Sequence, residues 1–85
     1  MMISNDKLYN KVYDMEILME NIEHLNLNII LNTQKLTTPF CVKYILNGKY
    51  QTEQDEKYIC LSDITRKQPH INIEELIQCL VDPNN

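Results

Sequence analysis

Apolar residues recur along the first third of the chain at Leu8, Val12, Met15, Met19, Ile22 and Leu25, with polar residues between them. Spacings of three and four are the period of an amphipathic helix. The pattern therefore predicts a helix over residues 6–26, opened by the capping side chains of Ser4, Asn5 and Asp6. That is long for a small domain, so a break near Tyr13 or Asp14 is a second option, with residues 1–13 as an N-terminal extension. The short apolar run from Ile29 to Leu36 suits a two-turn helix or a strand, and periodicity does not choose between them. Next, Thr37 or Thr38 is a capping residue and Pro39 fits a first helical turn. Val42, Ile45 and Leu46 share a face, and Gly48 stands where a left-handed residue would end a helix. Asn47-Gly48 is also a hairpin signal, with Val42 to Leu46 and Lys49 to Thr52 as its strands; the matching Thr-Pro start and Gly stop favour the helix.

Downstream, Thr52 caps a predicted helix from Glu53 to Ile64, whose first-turn acids suit the helix dipole, and Thr65 to His70 reads as a polar turn. Asn72 opens a last helix, with Glu75 as capping-box partner and Ile71 and Leu76 placed for a hydrophobic staple. Ile73, Leu76, Ile77 and Leu80 are expected to face inward, and Asp82-Pro83 to stop the helix before a tail at 83–85. With no internal repeat or low-complexity linker, the expectation is one all-α domain over residues 1–85, a compact five-helix bundle.

Composition agrees. One glycine and three prolines are few for a protein of hairpins, while 44% hydrophobic and 24% charged residues suit a globular chain. No apolar run approaches the roughly 18 residues of a membrane span, and Asp6 and Asp14 lie where a signal peptide would be basic and then apolar, so a cytoplasmic protein is expected. Cys41, Cys60 and Cys79 are odd in number, lie among apolar residues and form no C-x-x-C pair; they read as buried free thiols rather than disulfides or zinc ligands. His24 and His70 have no ligand partner at helical spacing, so neither metal nor cofactor is assigned. With two serines, two histidines and no glycine-rich loop or nucleophile motif, an enzyme is not expected.

Charge adds something the apolar pattern does not. The net charge of −4 is unevenly spread: from His24 to Thr52 there is no Asp or Glu, and Lys35, Lys43 and Lys49 give that stretch +3, leaving −7 on the remainder. The chain has one electropositive segment.

That segment holds Thr38-Pro39-Phe40-Cys41-Val42-Lys43-Tyr44-Ile45-Leu46-Asn47-Gly48-Lys49, which resembles the recognition helix of the Cro and phage-repressor-like (XRE-like) helix-turn-helix regulators. That helix opens on a capping Ser or Thr, places Val four residues later and closes on Ile-Leu-Asn-Gly-Lys or a similar sequence. The capped helix from Thr52 and the segment Ile71-Asn72-Ile73-Glu74-Glu75-Leu76 extend the likeness over about 50 residues of the chain. Two positions depart from it: Asn32 stands where a small residue follows the helix-two Leu31, and Leu36 replaces the turn glycine, which implies a differently shaped turn. The resemblance implies a sequence-specific regulator that binds double-stranded DNA, commonly as a homodimer on two half-sites, through a helix in the major groove. Pro39, Phe40, Lys43, Tyr44 and Asn47 would then lie outside, with Val42 and Ile45 anchoring the helix. Lys43 would meet guanine or phosphate and Phe40 a thymine methyl; Thr38 caps the helix, and Asn28, Lys35 and Lys49 would hold phosphates.

Two other readings stay open. The same scaffold can serve as a protein-binding antagonist or inhibitor, of the kind phages carry, because the third helix is poor in the usual base readers and its flanks are acidic. Alternatively, Asn47-Gly48 is a hairpin turn and Tyr58 to Ile64 resembles the strand-to-helix entry of the KilA-N DNA-binding domain, which requires strand content.

Overall fold

The first helical stretch is where local pattern and observed structure part. In the computed structural model, which describes residues 1–81, it forms α1 (Asn5–Leu8), α2 (Met15–Glu20) and a 3-10 turn (Ile22–His24) instead of one helix. Leu8, Ile22 and Leu25 are buried as their spacing predicts, but Val12 and Met19 are exposed, Met15 is half-buried, and Leu18, outside the predicted set, is buried. The reason for the breaks is a pair of buried amides that offer the backbone better partners than the next helical turn. The Tyr13 N–H donates to Gln34 Oε1 at 2.7 Å, and Gln34 Nε2 donates to the carbonyls of Leu8 and Lys11, each at 3.0 Å, which holds residues 9–14 out of a helix. Asn21 likewise ties down the first residues of the chain: its Oδ1 accepts from the Ile3 N–H at 3.0 Å and its Nδ2 donates to Met1 O at 2.8 Å.

The ambiguous segment is helical. α3 (Leu27–Thr33) starts at Asn26, whose Oδ1 accepts from the Ile29 N–H at 3.1 Å, and it buries Leu27, Ile30 and Leu31. Four non-helical residues, 34–37, lead to α4 (Thr38–Phe40), which is capped by Thr37 Oγ1 accepting from the Phe40 N–H and carries Pro39 in its first turn. α4 runs on into a π-helical turn (Cys41–Ile45) closed by the Leu46 N–H donating to Cys41 O at 2.9 Å. No described residue has a positive φ, so Gly48 does not supply the left-handed cap that its position suggested. The end is secured by Asn47, whose Nδ2 donates to Lys43 O at 3.1 Å and whose Oδ1 accepts from the Lys49 N–H at 3.0 Å.

The helix expected over 53–64 is also divided, into a 3-10 turn (Asp55–Tyr58) and α5 (Leu61–Lys67), the latter taking in residues expected to form a turn. Glu56 causes the division. Its side chain turns inward, 1% exposed, where the carboxylate accepts from the Leu27 N–H and the Glu53 N–H, both at 2.7 Å. This ties the start of α3 to the turn and tightens the chain around it. Asn72 caps α6 (Ile73–Val81), with its Oδ1 accepting from the N–H groups of Glu74 and Glu75. Of the four aliphatic residues expected to face inward from α6, Leu76 is buried while Ile73, Ile77 and Leu80 are 40%, 43% and 40% exposed. The expected stop at Asp82-Pro83 and the tail at 83–85 lie outside the described residues.

The fold is thus all-α, with six α-helices and no strand among the described residues, rather than five helices or a hairpin. Its helices are short, and α3 sits at the centre: it meets α1, α5 and the π-helical turn, while α6 packs across α4. Leu18, Leu27, Ile30, Leu31, Ile45, Ile64 and Leu76 fill the core. Gln68 is the third amide hub. Its Oε1 accepts from the Leu36 N–H at 2.9 Å, and its Nε2 donates to the carbonyls of Leu31 and Gln34 at 2.7 Å, fixing the path between α3 and α4. No buried side-chain nitrogen or oxygen among the described residues lacks a partner. No described helix is long and apolar enough to cross a membrane.

Candidate functional site

The direction in which α4 faces decides what the electropositive segment can present. In α4 and the π-helical turn that continues it, Phe40, Cys41, Tyr44 and Ile45 are buried, whereas Pro39 and Lys43 are exposed and Thr38, Val42 and the following Leu46 and Asn47 are partly so. The resemblance placed Val42 and Ile45 as anchors, and Ile45 is buried with Val42 packed half-buried against the core, but it placed Phe40 and Tyr44 outside. That expectation is corrected: Phe40 is 4% and Tyr44 7% exposed, so the helix is rolled about its axis relative to the regulator pattern. The cause lies in an aromatic row. The Phe40 and Tyr44 rings are 4.9 Å apart and Tyr44 and Tyr50 are 5.0 Å apart edge to face, so three rings enter the core side together and carry the helix face with them. The π-helical turn adds to the roll, because one extra residue per turn changes which side chains share a face.

The remaining residues expected at a DNA surface are scattered and mostly occupied. Lys43 Nζ lies 5.4 Å from the Tyr44 ring centre and Lys49 Nζ 5.5 Å from that of Tyr50, while exposed Lys35 lies in the 34–37 connection. Asn28 is not a free phosphate donor. Its Nδ2 donates to Asp55 Oδ2 at 2.9 Å and to Asp55 O at 3.0 Å, and the bond to Oδ2 helps hold the Asp55 carboxyl below the usual carboxylate range. An acid absent from the sequence window is therefore placed beside it in space. Asn47 is engaged with its own helix end, and Thr38 yields the capping role to Thr37.

What α4 does build with a neighbour is an open apolar groove against α2, of about 300 Å³. Phe40 and Tyr44 form its floor, Met15, Met19 and Pro39 its walls, and Lys43 its charged edge. Sequence reasoning missed the two methionines as site residues, since their spacing of four on α2 is also that of core positions; Met19 is nevertheless 38% exposed. Cys41 beneath α4 is fully buried, and burial pushes its thiol up to about 12, so it remains a neutral packing group. Cys60 is exposed and Cys79 half-buried, against the expectation of three buried thiols. No cluster of three or more metal-ligating side chains occurs among the described residues. No family model, no curated protein and no solved structure matches the chain.

Proposed function

We propose that this chain is a small helical protein-binding module that acts by occupying its partner, in the manner of an antagonist or inhibitor. The groove between α2 and α4 carries the proposal. Its aromatic floor and methionine walls offer an apolar anchor site that adapts to the shape of an inserted side chain, and Lys43 adds one charge to orient it. Pro39 stiffens the rim, which lowers the ordering cost of binding.

The regulator reading, with double-stranded DNA as ligand, is second. One observation favours it: Lys35, Lys43 and Lys49 are all exposed. Three phosphate contacts give a salt slope of only about −3, which is weak beside repressors that make several times as many. Exposed acids on the helices flanking α4, Glu16 and Glu20 on α2 and Glu74 and Glu75 on α6, oppose it further.

Two measurements separate the readings. A photo-reactive phenylalanine replacing Pro39 should crosslink a discrete protein in cells that express the chain, and Lys43→Glu should abolish the product, while the same probe replacing Lys57 should give none. Duplex DNA followed by fluorescence anisotropy should bind weakly, without sequence preference, and not at all near 0.15 M salt. Sequence-selective binding lost in a Lys43→Ala/Lys49→Ala variant would instead establish the regulator.

A further inference from the structure

The partly exposed flank of α6 has the complementary character. Ile73, Ile77 and Leu80 follow at spacings of four and three, so they form one stripe, and each is about two-fifths exposed, while Leu76, next to them on the same apolar side of the helix, is buried against the core. Beside the stripe stands exposed Glu74, and from Ile73 to Val81 there is no Lys or Arg. The groove on the other side of α4 is its counterpart: an apolar trough edged by Lys43, in a stretch from His24 to Thr52 that contains no Asp or Glu. Glu16 and Glu20 of α2 do not line it.

We propose that a second copy of this chain occupies the groove, inserting the Ile73, Ile77 and Leu80 stripe of its α6 between α2 and α4 with Glu74 facing Lys43. The inference rests on the groove being a protein-binding site. Charge selects the crossed arrangement. Two α6 helices packed face to face would oppose acid with acid, and two grooves would oppose Lys43 with Lys43, whereas stripe against groove opposes acid with base. A contact between two different surfaces of one molecule is head-to-tail, so it leaves a free groove at one end and a free stripe at the other. The assembly therefore grows by addition. Three partly exposed aliphatic residues and one groove make a small interface, so assembly is weak and concentration-dependent.

Sedimentation velocity from about 10 to 500 µM spans the range expected of so small an interface. The weight-average mass should rise steadily through dimer and trimer without a plateau. Ile77→Lys blocks the stripe and Lys43→Glu reverses the groove, and both sites are exposed, so each variant should keep the wild-type melting curve and stay monomeric. Mixed one to one they should form dimers and nothing larger, because one variant retains the groove and the other the stripe. Lys43→Glu combined with Glu74→Lys in one chain should restore growth. A wild-type chain monomeric throughout overturns the inference, as does a closed dimer indifferent to Lys43→Glu. If the chain is monomeric yet the probe at position 39 captures a different protein through Lys43, self-assembly falls and the binding-module reading stands; if neither is seen, both fall.

Discussion

Gln34, Asn21, Gln68 and Glu56 are each at most 3% exposed, and their polar atoms bond mainly to backbone groups of segments that are not helical. A small chain with short helices leaves many backbone groups unpaired inside, and these side chains supply the partners. Gln68→Leu keeps the volume but strands the Leu36 N–H and two carbonyls, and should cost about 3–5 kcal/mol, seen as a fall in melting temperature of about 15 °C or more. Cys41 offers a test of pH dependence. Its thiol is held neutral up to about 12 in the fold, against 9.0 for an ordinary thiol, so above pH 9 the unfolded chain sheds a proton that the folded one keeps. Stability should therefore fall with rising pH across that interval in urea titrations, and Cys41→Ala should flatten the slope. In native buffer a thiol reagent should label exposed Cys60 first and reach Cys41 only on unfolding.

Among the elements, α4 carries most of the consequences. Because Phe40 is buried against Tyr44, Phe40→Ala should destabilise the fold by about 3–5 kcal/mol in a thermal or urea melt. A base-reading Phe40 at the surface would leave that melt unchanged. Thr37 alone caps α4 through its hydroxyl, so Thr37→Ala should cost about 1 kcal/mol while Thr38→Ala costs much less. The comparison reads directly which of two adjacent threonines starts the helix. α6 behaves differently: Ile77 on its stripe is 43% exposed, and Ile77→Lys should leave stability within about 0.5 kcal/mol of wild type.

Across the whole molecule, extents of 32 × 24 × 22 Å leave little interior, and much of the apolar content remains at the surface on α6, on Met19 of α2 and at Tyr9, Val12 and Tyr58. Charge is segregated over the same surface, with three lysines in the central segment and acids around it. That division favours contacts between unlike faces of proteins over a uniform grip on phosphate. Raising salt should weaken self-assembly only modestly, since the apolar stripe contributes most and a single Glu74–Lys43 pairing is screened; sedimentation at about 0.5 M salt reads the loss.

The sequence by itself determined the helical class, the cap at Asn72, the proline-led start of α4 and the acid-free central segment, because these depend on side chains close to one another along the chain. It also held the motif that resembles a regulator's recognition helix. Tertiary structure decided the rest. Whether residues 6–26 stay helical depends on Gln34 and Asn21 reaching across some 20 residues of chain, and whether residues 53–64 do depends on Glu56 reaching Leu27. Neither is visible to a local period. The face that α4 and its π-helical turn show to solvent is set by three aromatic rings packing together and by the π-helical turn itself, so the segment from Phe40 to Asn47 lays Phe40 and Tyr44 beneath a groove. Side-chain spacing fixes which residues share a face, but only the packing of that face against the other helices fixes which way it turns.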